Sequence, residues 1–258
     1  MKKQIAVMIA LFTVLAAGCK KDKDNPINGD ENGKVKYISK ITTTEDDVQT
    51  TYVANYDSQN RLVSYNAQNN SEKTTFTYGA NGNLVKYEFE SDENKDVFEV
   101  TYNGANVPVT GKHTTYTNLA VVAEEALTYT VANGVITEMQ AKNLDNEVAT
   151  YKMTYQNSNL SKVEVTVPDG KFTISATYGN NKSPFLGLNL KYLIAPVNLF
   201  AYFAKNELTS VATAFNNQTI VRDVTTYTYD NDGYPLTSSS TNPDAAAEPA
   251  SISKYEYK

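Results

Sequence analysis

The stretch YGANGNLVKY (residues 78–87) has a counterpart twenty-two residues earlier, YDSQNRLVSY (56–65), and a looser copy near the C-terminus, YDNDGYPLT (229–237). Each opens on a tyrosine, passes through five residues rich in Asn, Asp and Gly, and resumes on Leu or Pro. Asn-Gly and Asp-Gly supply the positive φ that tight hairpin turns need, and Asn tolerates that region better than most residues. Each phrase therefore reads as the end of one strand, a turn and the start of the next.

Outward from these phrases the period is two. In NLVKYEFE (83–90), Val85, Tyr87 and Phe89 alternate with Lys86, Glu88 and Glu90. DVFEVTY (96–102) puts Phe98, Val100 and Tyr102 on one face, and EVATYKMTY (147–155) does the same with Ala149, Tyr151, Met153 and Tyr155. Such alternation belongs to antiparallel strands with one buried and one wet face. Further turn signals stand at SQN (58–60), NG (103–104 and 133–134), QNSN (156–159), PDG (168–170) and NDG (231–233). Tyrosines 56, 78, 102, 129, 155 and 178 lie 22 to 27 residues apart, each interval holding two strands and two turns. Roughly fifteen strands result, more than an open, flat sheet sustains, because twist accumulates and bare edges invite pairing. The expectation is an all-β fold: a large antiparallel meander of hairpins curled into an open or closed barrel-like sheet, one domain over residues 35–258.

One segment breaks the period. In SPFLGLNLKYLIAPVNLFAYFAKN (183–206), Leu186, Leu190, Leu193, Val197, Ala201 and Ala204 recur at three or four residues, a helical stripe interrupted by Pro196. Asn189, Lys191, Asn198 and the central proline make it a poor membrane span. It reads as a short helical apolar insert that plugs the curled sheet, with Leu190, Leu193, Val197 and Phe200 against the Tyr-rich face.

The 258-residue chain has 19 Tyr and 9 Phe but no Trp, and its net charge is −6. It carries no basic stripe of the kind that binds nucleic acid. At the N-terminus, Lys2 and Lys3 precede an apolar run from Ile5 to Ala17, too short to span a bilayer but apt for a signal peptide. The run closes as LAAGC, with Ala17 and Gly18 before Cys19, the single cysteine of the chain. That pattern resembles a bacterial lipobox, whose thiol takes a diacylglycerol and becomes the first mature residue. Residues 1–18 are then a lipoprotein signal peptide, and the mature charge is 21 − 29 = −8. Residues 19–34, polar and without an apolar period, read as a flexible tether.

The phrases YDSQNRL (56–62), YGANGNL (78–84) and YDNDGYPL (229–236) are similar to the tyrosine-aspartate repeats of Rhs-type bacterial proteins, which wind hairpin strips into shells. The order of landmarks resembles another group more closely. A lipobox leads to these hairpins, then YGNNKSPFLGL (178–188), NELTSVATAF (206–215), YTYDNDGYPLT (227–237) and a terminal YEY (255–257). So arranged, the chain looks like Bacteroidetes-type lipoproteins whose domain of unknown function is described as porin-like. The resemblance implies a large curled antiparallel sheet and assigns no catalytic residues.

Chemistry-bearing motifs are sparse. His113, the single histidine, lies in VTGKHTTYT and reads as an exposed residue. No HExxH, GxSxG, P-loop or GxGxxG pattern occurs. The acidic groups Glu45-Asp46-Asp47, Asp92-Glu93, Glu124-Glu125 and Asp230-Asn231-Asp232 fall where hairpin tips are expected, and turns are rich in Asp for local reasons. Neither a metal, a cofactor nor a catalytic residue is called for, and lipidation at Cys19 is the one assigned site. The expected function is that of a lipid-anchored outer-membrane or cell-surface protein, a binding or structural module with the membrane and a glycan or protein as partners. The alternative is a hydrolase of envelope or dietary polymers, which needs a cleft with two facing carboxylates.

Overall fold

The computed structural model describes residues 35–188, 190–196, 200–245 and 249–258. The expected signal peptide (1–18), Cys19 and the expected tether (19–34) lie outside the described residues, as do Asn189 and Val197 of the insert.

The strands are β1 (Ile38–Glu45), β2 (Val48–Tyr56), β3 (Leu62–Ala67), β4 (Glu72–Tyr78), β5 (Leu84–Ser91), β6 (Asn94–Tyr102), β7 (Pro108–Thr117) and β8 (Ala120–Ala132). They continue as β9 (Val135–Asn143), β10 (Val148–Gln156), β11 (Asn159–Val167), β12 (Gly170–Lys182), β13 (Asn206–Phe215), β14 (Gln218–Tyr229), β15 (Pro235–Thr241) and β16 (Ser251–Tyr257). Each strand pairs antiparallel with its neighbours in sequence, and β1 pairs with β16, from Ile38 opposite Tyr257 to Thr44 opposite Ile252. The sheet is thus a closed sixteen-stranded barrel. Closure leaves no edge to aggregate.

The repeated phrases now have a physical explanation. The strands β2, β4, β6, β10, β12 and β14 each shift register immediately before a tyrosine: Tyr56, Tyr78, Tyr102, Tyr155, Tyr178 and Tyr229. These β-bulges turn the chain toward its next turn. The hydroxyls of Tyr56, Tyr78, Tyr102, Tyr155 and Tyr178 donate to the carbonyls of Ile38, Leu62, Leu84, Ile136 and Leu160, at 2.7–3.0 Å. Each acceptor is the first or second residue of the preceding strand, so the tyrosine pins the open end of its hairpin. Burial raises the phenol of Tyr78 to about 12, which keeps that hydroxyl a donor. The following residue organises the turn. Asp57 Oδ1 accepts from the backbone N–H of Gln59 and Arg61, and Asp230 Oδ1 from those of Asp232 and Tyr234. Asn60, Gly82, Asn106 and Gly233 occupy the positive-φ position.

All these tyrosines stand at one end of the barrel, the tyrosine end, where the described chain also begins at Val35 and stops at Lys258. At the far end several connections are two-residue turns, as Asn133-Gly134 and Asn157-Ser158 are at the tyrosine end. Asp46-Asp47, Asn118-Leu119 and Asn216-Asn217 have two consecutive positive φ angles, the geometry of type I′ hairpins.

The inward face is mainly apolar, with Thr43, Ser238, Ser240, Ser251 and Ser253 buried where β1, β15 and β16 meet. Ile41, Tyr52, Tyr65, Phe76, Tyr87, Leu127, Met139, Tyr151, Val163 and Val211 join one buried cluster. The insert enters this core from the tyrosine end. Leu193 and Ile194 are 0% exposed, Leu190 packs on the cluster from its edge, and Tyr129 donates its hydroxyl to the Ile194 carbonyl at 3.0 Å. Tyr202 meets Tyr65, Phe76 and Phe185 through tilted or edge-on ring contacts. The expected helix is reduced to a 3-10 turn at Leu186–Leu188 and one helical turn, α1 (Phe200–Phe203). Between them residues 190–196 form no regular element, and Tyr129 satisfies one of their buried carbonyls where helical bonds would have done so.

The outward face carries many charged side chains beside scattered exposed apolar ones such as Val148, Leu236 and Ile252. Lys86 stands opposite Glu99, and Glu99 opposite Lys112, across β5, β6 and β7; Lys152 likewise lies between Glu138 and Glu164. Lys95 pairs with Glu88, Lys112 with Glu124 and Lys171 with Glu164, at 2.6–2.9 Å. A lipid-facing barrel needs an apolar band on this side, where each buried Lys costs about 2–4 kcal/mol. The wall is built for water.

Candidate functional site

The tyrosine end concentrates cations over aromatic rings. Lys258 Nζ sits 4.1 Å from the centre of the Tyr56 ring, Arg61 lies 4.7 Å from Tyr78, and Lys182 is 4.7 Å from Tyr234. Lys36 also approaches Tyr234, and Lys191 approaches Tyr192. These cations come from five separate segments, brought together because every one of them ends or turns at this rim. The local carboxylates are engaged: Asp57 holds Arg61, while Asp230 and Asp232 hold Lys36 at 2.6–2.7 Å. Hydrogen bonds from Arg61 and Gln59 keep the Asp57 carboxyl below its usual range. Lys182, Lys191, Lys205 and Lys258 have no ion-pair partner among the described residues.

Between the rim and the insert lies a cleft of about 170 Å³, walled by Arg61, Tyr78, Asn83, Tyr102, Lys191 and Tyr192. Asn83 is buried, and its amide Nδ2 has no acceptor among the described residues. Aromatic faces, a guanidinium, an ammonium and an unspent amide donor suit a ligand that combines an apolar or sugar ring with anionic or acceptor oxygens.

Beside this rim, Glu207 is buried, accepts hydrogen bonds from the Tyr229 hydroxyl and Asn181, and leaves Oε2 without a partner among the described residues. Burial pushes its carboxyl up, against the opposing effect of those hydrogen bonds. Gly179 makes room for it, since a Cβ there would overlap the Glu207 carboxyl.

His113 corrects the expectation of an exposed residue. It lies on the inward face of β7, its side chain 20% exposed, with its ring stacked on Phe98 at 4.0 Å. Nε2 contacts Asp96 Oδ1 at 2.9 Å and Nδ1 contacts Glu125 Oε2 at 2.8 Å. Burial alone would lower its pKa, but the hydrogen bonds to the two carboxylates prevail and raise it to about 9. Both ring nitrogens are committed, and the imidazolium serves as a cationic bridge inside the barrel. Glu124-Glu125 is likewise not a hairpin tip: it lies within β8, with Glu125 inward on His113 and Glu124 outward on Lys112. The other acidic groups do lie at turns. Among the described residues no cluster of three or more metal-ligating side chains occurs.

No family model and no curated protein matches the chain. Among solved structures it is similar to a porin-like protein from Bacteroides vulgatus, with a TM-score of 0.54 and 11% identity over 87% of this chain and 99% of that one. It is also similar to a porin-like protein from Bacteroides uniformis, with a TM-score of 0.52 and 15% identity over 86% of this chain and 96% of that one. The likeness is one of fold. It agrees with the architecture expected from the hairpin phrases and extends over the whole barrel.

Proposed function

We propose that this protein is a lipid-anchored component of a bacterial outer envelope, held through Cys19, whose barrel is a binding or structural module and neither an enzyme nor a pore. The observation that carries the reading is the inversion of the barrel. Sixteen-stranded porins keep an aqueous lumen and an apolar exterior. Here the interior is packed with Tyr, Leu, Ile and the insert, and the exterior bears Lys and Glu. Such a wall does not insert into a bilayer, so the barrel needs an anchor, and LAAGC at 15–19 offers one. The facing carboxylates a hydrolase needs are represented inside by Asp96 and Glu125, and His113 is clamped between them.

Expression of Cys19→Ala in a lipoprotein-processing host tests the anchor. Metabolic lipid labelling should be lost, and with it co-sedimentation with membranes that survives high salt; retention of the label would sink the reading. Protease treatment of intact cells separates surface display, where the chain is cut, from a periplasmic position, where it is spared.

A further inference from the structure

We infer that the tyrosine end is a docking face for an anionic lipid surface, so that the barrel stands on the membrane with its far end pointing away. The inference rests on the tethered reading above and adds an orientation and a second membrane contact. Three independent observations converge on it. First, the described chain begins at Val35 on this end, so the segment that would carry the Cys19 lipid joins the barrel here. Second, Lys182, Lys191, Lys205 and Lys258 gather here without ion-pair partners among the described residues, while Asp57, Asp230 and Asp232 are held by Arg61 and Lys36. Third, the far-end turns carry Asp46, Asp47, Asp92, Glu93, Asp145 and Glu147, and no lysine or arginine among their described residues.

The two ends act separately. Strands of about nine residues at ~3.3 Å per residue hold them some 25–30 Å apart, roughly three Debye lengths at physiological ionic strength. An anionic surface therefore attracts one end and repels the other, which fixes orientation even though the net charge is negative. Lys191, Lys182 and Lys258 lie against the rings of Tyr192, Tyr234 and Tyr56; Tyr192 and Tyr234 are buried, so it is the ammonium groups that the end turns outward. The cleft beside them presents Arg61, Lys191 and the Asn83 amide to a headgroup phosphate.

The test uses the chain from residue 20 onward, which contains the whole closed barrel and no lipid. Its failure therefore leaves the Cys19 anchor untouched. Co-sedimentation with phosphatidylglycerol-containing vesicles is compared with pure phosphatidylcholine vesicles. Binding should be confined to the anionic vesicles and should fall as salt is raised. Each surface lysine contributes roughly fivefold in partitioning, so Lys191→Glu/Lys205→Glu/Lys258→Glu, all exposed positions, should lose on the order of a hundredfold or more. A far-end variant, Asp46→Lys/Asp47→Lys, should bind at least as well as wild type. Equal binding to both vesicle types, or a triple variant that folds and binds like wild type, overturns the inference. So does loss of binding in the far-end variant.

Discussion

At the scale of single residues, the barrel relies on polar side chains used structurally. His113 exemplifies this. Its folded pKa of about 9 exceeds the unfolded value near 6.5, so the folded state holds the proton more tightly. The resulting stabilisation is fully present below about pH 6.5 and is lost as pH rises through about 9. Its size is about 3 kcal/mol. Denaturant midpoints of wild type should fall across that window, and those of His113→Ala should not. At neutral pH His113→Ala should itself cost about 3 kcal/mol, because it leaves Asp96 and Glu125 facing each other without a cation. A variant as stable as wild type would show the bridge to be idle. Leu119 makes the opposite case. It is 93% exposed at φ 64°, a conformation that suits glycine. Leu119→Gly should raise stability by up to about 1 kcal/mol in thermal melts.

At the scale of elements, each hairpin is closed by a tyrosine hydroxyl and a bulge. Tyr155→Phe removes the bond to the Ile136 carbonyl and keeps the ring, so chemical denaturation should show a loss of about 1 kcal/mol. The insert is a more demanding element. Leu193→Asp puts a charge at a site with no solvent exposure and should cost several kcal/mol, read as a large drop in melting temperature. These elements differ in how much of them the sequence disclosed. The tyrosine-turn phrases exposed the hairpins because bulge, Asx contact and positive φ are local. The turn at Asn118-Leu119 carried no Gly or Asp, and β7 has no apolar residue from Thr110 to Thr115, so the inward placement of His113 had no alternation to reveal it. The stripe in 183–206 suggested a helix, but Tyr129, fifty-four residues before the segment begins, satisfies the Ile194 carbonyl instead. No local pattern encodes that contact.

At the scale of the whole molecule, the alternating pattern showed that the sheet must curl but not that Ile38 meets Tyr257, a pairing that spans the chain. The candidate site was hidden for the same reason. Lys36, Arg61, Lys182, Lys191 and Lys258 form no run in the sequence and become neighbours only when the barrel closes. What the pattern did contain was the inversion: Tyr, Val and Phe alternating with Lys and Glu, read as core against solvent. That inversion is the central claim, and sedimentation velocity of the chain from residue 20 onward in detergent-free buffer tests it most directly. A filled barrel with a charged wall sediments as a discrete folded species without detergent. Aggregates that disperse only on addition of micelles would mean that the wall faces lipid, and the account would be wrong.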